Sequence, residues 1–557
     1  MSIFLSSIMR AQGLLDRHIL DSDSHHPRDT QIKFLLRLLK KNKNTQFGKE
    51  HAFSSIGSEK DYRNNVSVVE YTDIEPYIDK IKTGHPNILT HDPVFMFNLT
   101  SGTTARPKYI PITYQGQKRT GRLIRQWYSH ALSDHPLLPD KNSLVITGAA
   151  IEGRCDSGIP YGSASGMIYN TMPSIVKDSF VVPTAVSEIT NYDIRYYVLA
   201  RFAYEKSISF IATPNPLTLI KLAENAMENH EEIIRSIHNG WLSESLKSKQ
   251  SCKMADVPDI LRSSLKSNVA RAAFLEKVLE RTGKLLPIDC WPDLKLIGCW
   301  LGGSIGFHAD SLDKYYGNTP LRDLGYMASE GNITLPVKDA TPAGILALRN
   351  NYYEFIPEAQ LNSPQPDILT AGELDAGSCY KILLTNENGL YRYDINDIVK
   401  VEGFYHQTPI ISFLRKSGNI LNIAGEKLHL NHCLSAIDKI QSRFSLDIQQ
   451  FRVVPDPENL RHEFFVNIKS EVSDKFMHKE LLLAFDSYLC ESNLEYDSRR
   501  KSKRINAPCI HVMDSTWEDD VKKEQGNFGR HDVQYKWIQL STVKIDADYR
   551  HIKYTIK

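Results

Sequence analysis

Residues 93–99 form an apolar run that ends in Thr100-Ser101-Gly102-Thr103-Thr104-Ala105-Arg106-Pro107-Lys108, and a second apolar run follows at 109–112. That pattern predicts strand, tight loop, strand. In such a loop backbone N–H groups turn inward and hydroxyls add donors. The concavity suits a polyanion, and Lys108 adds a compact positive charge. By composition alone the same residues equally suit an ordinary Ser/Thr-rich hairpin tip.

Three further stretches carry chemistry. Gly302-Gly303-Ser304-Ile305-Gly306 fits G-x-S-x-G, the nucleophile elbow of serine hydrolases, with Asp323 and His406 downstream as acid and base; nothing in the sequence pairs them. The other reading is a glycine turn that lets backbone approach a flat ligand. Tyr326-Met327-Ala328-Ser329-Glu330 places a ring and a carboxylate four residues apart. The ring could stack on a base and the carboxylate could hold Mg²⁺. Tyr391-Arg392-Tyr393-Asp394-Ile395-Asn396-Asp397 offers Asp397 to ribose hydroxyls. There is no G-x-x-x-x-G-K-[ST], no G-x-G-x-x-G and no H-E-x-x-H.

The totals exclude several classes. A chain of 557 residues is too long for one core, so two or more domains are expected. Lys+Arg 67 against Asp+Glu 66 gives a net charge of +1, which provides no global field for nucleic acid or anionic lipid. Eight cysteines without a C-x-x-C pair suggest free thiols in a reducing cytosol, hence a cytoplasmic location. No apolar run approaches the roughly 18 residues of a membrane span, so no stable membrane insertion is expected. Phe4, Ile8, Ala11, Leu15 and Ile19 fall at helical spacing, without the basic start of a signal peptide; they predict a helix packed on the body of the protein.

The elements that must position these residues follow from periodicity. Ile32, Leu35, Leu36 and Leu39 mark one helix, and residues 74–78 another. A helix over 115–132 follows the first loop and brings Trp127 and Tyr128 within reach of a pocket, although core packing accounts for each ring singly. Strands are expected at 143–150, 207–213, 293–301 and 321–327, with a loop at 153–166. Strands alternating with helices indicate an α/β architecture. Ligands in such folds gather at carboxyl ends of strands, which makes Thr213 and Asn215 substrate candidates. From residue 380 the strands become closely spaced. A polar break at 415–419 could act as a hinge; beyond it come a helix at 430–444, strands at 449–454 and 462–468, a helix at 475–490, and a solvated basic loop at 495–504. The expected organisation is a large α/β body with a β-barrel-like part over 1–414, a hinge over 415–429 and a small C-terminal α+β domain over 430–557.

Jointly and in this order, the motifs resemble the ATP-binding set of acyl-adenylate-forming enzymes, the superfamily of firefly luciferase and the acyl-CoA ligases. Its loop reads roughly [ST]-S-G-[TS]-[TS]-G-x-P-K. The resemblance narrows with Trp291-Pro292-Asp293-Leu294-Lys295, Arg322-Asp323-Leu324-Gly325-Tyr326, Tyr353-Glu354-Phe355-Ile356-Pro357, Val401-Glu402-Gly403-Phe404 and Gln534-Tyr535-Lys536. These resemble the Gretchen Hagen family of acyl-acid amido synthetases over almost the whole chain from about Thr30, and a bacterial member is expected. The resemblance implies that a carboxylic acid is adenylated with ATP and Mg²⁺, releasing pyrophosphate, and that the acyl group passes to an amino acid or other amine, releasing AMP. It assigns Thr100, Ser101, Gly102, Thr103, Thr104 and Lys108 to phosphates. Glu330 takes Mg²⁺. Gly303 and Tyr326 take the adenine with Ser304 in the turn along it, Ser329 belongs to the ATP-binding set, and Asp397 takes the ribose. Lys427 and Lys536 approach the phosphates or acyl group as a mobile C-terminal domain closes. Ala105 departs from the superfamily's Gly, Asn396 stands where Gly precedes the ribose Asp, and Leu428 replaces a Thr of plant members. The acyl-pocket residues of plant members find no match, so their hormone substrates do not carry over. The rival readings are an acyl-CoA ligase, a serine hydrolase using Ser304, and a nucleotide-binding relative without catalysis.

Overall fold

The computed structural model describes residues 3–100, 108–189, 191–242, 257–306, 308–361, 363–417, 420–424, 426–469, 475–501, 504–524 and 537–557. The chain divides into two compact units, with the boundary between Phe413 and Leu414.

The first unit is built on three sheets. Strands β1 (Val94–Thr100) and β2 (Lys108–Thr113) pair antiparallel, with Thr100 opposite Lys108. β1 also pairs in parallel with β5 (Pro160–Gly162), which pairs with β4 (Gly153–Arg154). Residues 153–166, expected as a loop, thus contribute two short strands. The second sheet is parallel and ordered β3 (Asn142–Val145), β6 (Ile208–Ala212), β7 (Leu296–Cys299) and β8 (Leu321–Asp323). Leu144, Ile208, Ile211, Leu296 and Ile297 are buried, as expected of strands covered on both faces. Helices Tyr192–Tyr204, Pro216–Glu228 and Val269–Thr282 supply buried residues to the same core, among them Tyr197, Leu222 and Leu275.

The third sheet is antiparallel and six-stranded: β11 (Thr334–Leu335), β12 (Gly344–Leu346), β16 (Thr408–Lys416), β15 (Tyr393–Tyr405), β14 (Cys379–Asn386) and β13 (Asn351–Pro357), in that order. The expected barrel-like part takes this form, with β11 and β13 at its ends. Phe34, Leu35, Leu38 and Leu39 of helix Pro27–Asn42 share a core with Tyr353, Phe355, Ile382 and Leu384 of this sheet. β16 continues through Arg415 and Lys416, so the polar break begins as strand. A two-stranded hairpin, β9 (Met327–Ala328) and β10 (Gly331–Asn332), stands outside the larger sheets.

The N-terminal helix, Ile3–His25, forms as its periodicity predicts, but Leu15 is exposed. The helix lies on Tyr114–Asp134 through Gly13, where a Cβ would run into the Ser129 side chain. Arg17 donates to Ser129 O at 2.9 Å, and Arg122 pairs with Asp16 at 3.1 Å. The close approach and these polar clamps place Gly13, Asp16 and Arg17 on the packed face, with Leu15 outside it.

The second unit is a sheet ordered β19 (Ile448–Asp456), β20 (Arg461–Ile468), β21 (Cys509–Met513) and β22 (Ile552–Ile556), with helices Leu430–Phe444 and Lys475–Ser492; a short ladder joins β17 (Ile420–Leu421) to β18 (Leu428–His429). Residues 495–504, expected as a solvated loop, are largely helix, Leu494–Lys501. Tyr496 is fully buried and donates to Asp486 at 3.0 Å, and Arg500 grips the same carboxylate through Nε and Nη2. Among the described residues no helix is long and apolar enough to cross a membrane.

Candidate active site

The parallel sheet delivers two turns from neighbouring strands. β7 runs into Gly302-Gly303 and β8 into Gly325-Tyr326. Asp323, the last residue of β8, lies between them. Leu301 N–H donates to its Oδ2 and Gly325 N–H to its Oδ1, each at 2.6 Å, while its backbone carbonyl accepts from Trp127 Nε1 at 2.7 Å. Burial pushes the Asp323 carboxyl up to about 7, the two backbone hydrogen bonds opposing it. Gly325 sits at φ +103, a conformation L side chains rarely adopt.

Tyr326 is fixed at both ends. Its N–H donates to Thr334 Oγ1 at 2.9 Å and its hydroxyl donates to Asp397 Oδ2. Its ring centroid is 5.4 Å from that of Phe413. Gly303, at φ +62, backs onto the same Phe413, whose ring would lie 2.9 Å from a Cβ placed there. The structure therefore brings Gly303 and Tyr326 to one phenylalanine that the sequence did not single out.

Asp397 reaches Tyr326 because β15 bulges. Opposite β14, Lys381 faces Ile398 but Leu383 already faces Asp394, so β15 spends extra residues over this stretch. Asn396 takes φ +59 in the bulge and donates its N–H to Asp394 Oδ1 at 2.7 Å. Asn is among the residues most tolerant of the left-handed region, so the bulge forms here without a glycine. Arg392, also at positive φ, is buried and bound to Glu354 Oε2 at 2.8 Å and Val66 O at 2.6 Å.

Glu330 and Ser329 form the two-residue tip of the β9–β10 hairpin. Asn98 of β1 donates to Ser329 O at 3.1 Å, and Asn386 of β14 donates to Glu330 O at 2.8 Å. Asn351 supports the far side, donating to Asn332 O at 2.9 Å. Three carboxamides from separate strands thus hold the backbone that presents Glu330. The Glu330 charge is felt at Tyr326 and Tyr393, whose phenols are pushed up first by burial and then by neighbouring carboxylates. Among the described residues no group of three or more His, Cys, Asp or Glu is placed to hold a metal ion. One carboxylate on a backbone held in this way suits a Mg²⁺ ion whose other ligands are substrate phosphates and water, so the residue fits that ion.

The remaining candidates separate. Lys108 closes the β1–β2 hairpin with its ammonium 5.4 Å from the centre of the Tyr71 ring. Thr100 ends β1, whereas Ser101, Gly102, Thr103 and Thr104 lie outside the described residues. Ser304 belongs to a short helix, Gly303–Gly306, whose left-handed residue is Gly303. Both oxygens of Asp323 accept from backbone N–H groups, and His406 stacks on His25 at 3.9 Å. Trp127 is buried, its ring against Gly298 and 6.0 Å from Phe210. Tyr128 packs edge-on to Phe210, and burial pushes its phenol up to about 12. Asn215 caps helix Pro216–Glu228 by accepting from Leu217 N–H at 3.0 Å. Thr213 is buried with an Oγ1 that has no hydrogen-bond partner among the described residues.

In the second unit Lys427 is exposed at φ +44. Its neighbour Glu426 is fully buried, accepts from Ile423 and Ala424 N–H at 2.7 and 2.8 Å, and pairs with His462 at 2.8 Å. Burial opposes ionisation of Glu426, but these hydrogen bonds outweigh it and hold the carboxyl at about 2. Lys536 lies outside the described residues.

The fold is that of acyl-acid amido synthetases: a solved GH3.15 acyl acid amido synthetase superposes with a TM-score of 0.83 over 98% of this chain and 97% of its own, at 18% identity. The GH3 family N-terminal domain matches residues 16–321, the central domain 344–416 and the C-terminal domain 431–543. The chain belongs to the GH3 family. A jasmonoyl–L-amino acid synthetase of Nicotiana attenuata is 24% identical over 509 residues, covering 87% of this chain and 86% of its own. An indole-3-acetic acid-amido synthetase of Arabidopsis thaliana is 26% identical over 411 residues, 68% of each. These relatives are plant proteins and give no support to the expected bacterial source.

Proposed function

We propose that this protein is an ATP-dependent acyl-acid amido synthetase that joins a small carboxylic acid to an amino acid or other amine. Tyr326 bonded to Asp397, one turn from Glu330, is the observation that carries this reading within the family. A carboxylate is a poor electrophile because its leaving group would be oxide. Its oxygen attacks the α-phosphorus of ATP and pyrophosphate departs. The amine nitrogen then attacks the acyl carbonyl, and AMP departs with that oxygen.

The protein's part is alignment and charge neutralisation. In this reading the loop from Thr100 to Thr104, with Lys108, cradles phosphates; Gly303 and Tyr326 take adenine, with Ser304 in the turn beside them; Ser329 contributes to the ATP site, and Asp397 takes ribose. Glu330 would hold Mg²⁺, which supplies charge neutralisation to the departing pyrophosphate. The unmet hydroxyl of Thr213 supports a substrate contact, whereas Trp127 and Asn215 are already engaged in packing and capping. Lys427 and Lys536 are assigned to the phosphates or acyl group. Both lie at positions that match the family's motifs in sequence. The engaged carboxylate of Asp323 tells against the hydrolase reading, and an acyl-CoA ligase would differ only in the acceptor.

The test is ATP–pyrophosphate exchange over a panel of carboxylic acids with Mg²⁺, followed by mass spectrometry of products formed with mixed amino acids. Acid-dependent exchange and an amide product are expected. Folded protein that binds ATP but exchanges with no acid would reduce the protein to a nucleotide-binding relative.

A further inference from the structure

Asp323 belongs to no assigned role, yet it is the group through which the two turns of the candidate adenine site are joined. It is buried, 3% exposed, and each carboxylate oxygen serves a different turn: Oδ2 receives Leu301 N–H, immediately before Gly302-Gly303, and Oδ1 receives Gly325 N–H, immediately before Tyr326. Gly302 and Gly325 are both in tight quarters. A Cβ on Gly325 would meet Thr334 O at 2.7 Å, and one on Gly302 would meet Pro342 at 3.0 Å. Neither turn leaves room for a side chain, so the two backbones run close against Thr334 and Pro342 on either side of the Asp323 bridge. We propose that Asp323 is a positioning residue of the nucleotide site, whose bridging carboxylate sets the Gly302-Gly303 turn relative to the Tyr326 ring. This rests on the proposed function, which gives those turns to adenine.

The bridge needs two acceptor oxygens. An ionised carboxylate supplies both, whereas a carboxylic acid presents a hydroxyl where one N–H must be received. The surroundings do not lock the charge. Leu301 and Gly325 offer only N–H groups, Trp127 of helix Tyr114–Asp134 donates to the backbone carbonyl, and Cys299 of β7 is a thiol kept neutral by burial. The neighbouring Arg322 turns away to Asp134 and Asp339, each at 2.6 Å. With the carboxyl pushed up to about 7, the bridge is intact above neutrality and is lost as pH falls below it.

The experiment measures adenosine as a competitive inhibitor against ATP in the exchange assay, from about pH 6 to about pH 8. Adenosine titrates nowhere in that range, so its inhibition constant reports the protein. In the wild type the constant should rise roughly tenfold toward the acid end, the worth of about one hydrogen bond. Asp323→Asn, checked for folding by circular dichroism, should show the weakened constant at every pH and no slope. A flat profile in an exchange-active wild type overturns the proposal by itself, without any variant. So does an Asn variant that matches the wild type at about pH 8. Absence of acid-dependent exchange in the wild type overturns the parent reading, and that outcome is distinct from both.

Discussion

The Tyr326 hydroxyl donates to the Asp397 carboxylate, tying the turn after β8 to the bulge of β15. One hydrogen bond thereby sets a ring assigned to adenine at a fixed distance from a carboxylate assigned to ribose. Tyr326→Phe keeps the ring and removes the tie. Because Asp397 is buried, losing a donor to it should cost about 1–3 kcal/mol of stability. Urea denaturation should show the loss, and the KM for ATP should rise more than kcat falls. Unchanged stability and KM would mean the tie positions nothing.

Glu330→Gln keeps shape and removes the charge. The kcat should fall roughly 100-fold or more, about 2.7 kcal/mol of transition-state stabilisation. The three carboxamides that hold this hairpin bind its backbone, so the fold should survive. Steady-state kinetics at saturating Mg²⁺ is the check, and an unaltered kcat would remove Glu330 from the reaction.

Much of this arrangement was legible in the sequence, for identifiable reasons. The β1–β2 hairpin was announced by two apolar runs around small residues, and helix Leu430–Phe444 took the bounds its periodicity gave. Tolerance of positive φ at Asn396 followed from the residue's own backbone preferences. What escaped was tertiary. Asn98, Asn351 and Asn386 look like ordinary strand residues until three strands bring their carboxamides to one hairpin. Phe413 carries no motif, yet it touches both Gly303 and Tyr326. Helix Leu494–Lys501 read as solvated because its charges dominate; the burial of Tyr496 and the grip of Arg500 on Asp486 decide otherwise. Asn215 followed the rule that strand ends bind ligands, but its side chain is used to cap the next helix.

Ser304→Ala separates a glycine turn from a nucleophile elbow. Ligase activity should persist within about tenfold, since no acyl-serine forms and no step depends on the hydroxyl. A fluorophosphonate probe should leave Ser304 unlabelled by peptide mass spectrometry. Stoichiometric labelling would favour a hydrolase.

Lys536→Ala should divide the two half-reactions. If its ammonium serves the reacting phosphate, exchange with ATP and acid falls about 100-fold, while amide formation from a supplied acyl-adenylate stays near normal. Equal losses would assign Lys536 to both steps or to folding, and no loss would place it outside the chemistry.

The most direct measurement follows oxygen. An acid labelled with ¹⁸O at both carboxylate positions is turned over with ATP and an amine, and AMP, pyrophosphate and amide are weighed. Attack of the carboxylate on the α-phosphorus predicts one ¹⁸O in the phosphate of AMP, one in the amide carbonyl and none in pyrophosphate. Label in inorganic phosphate, or an unlabelled AMP beside a labelled amide, would contradict adenylation.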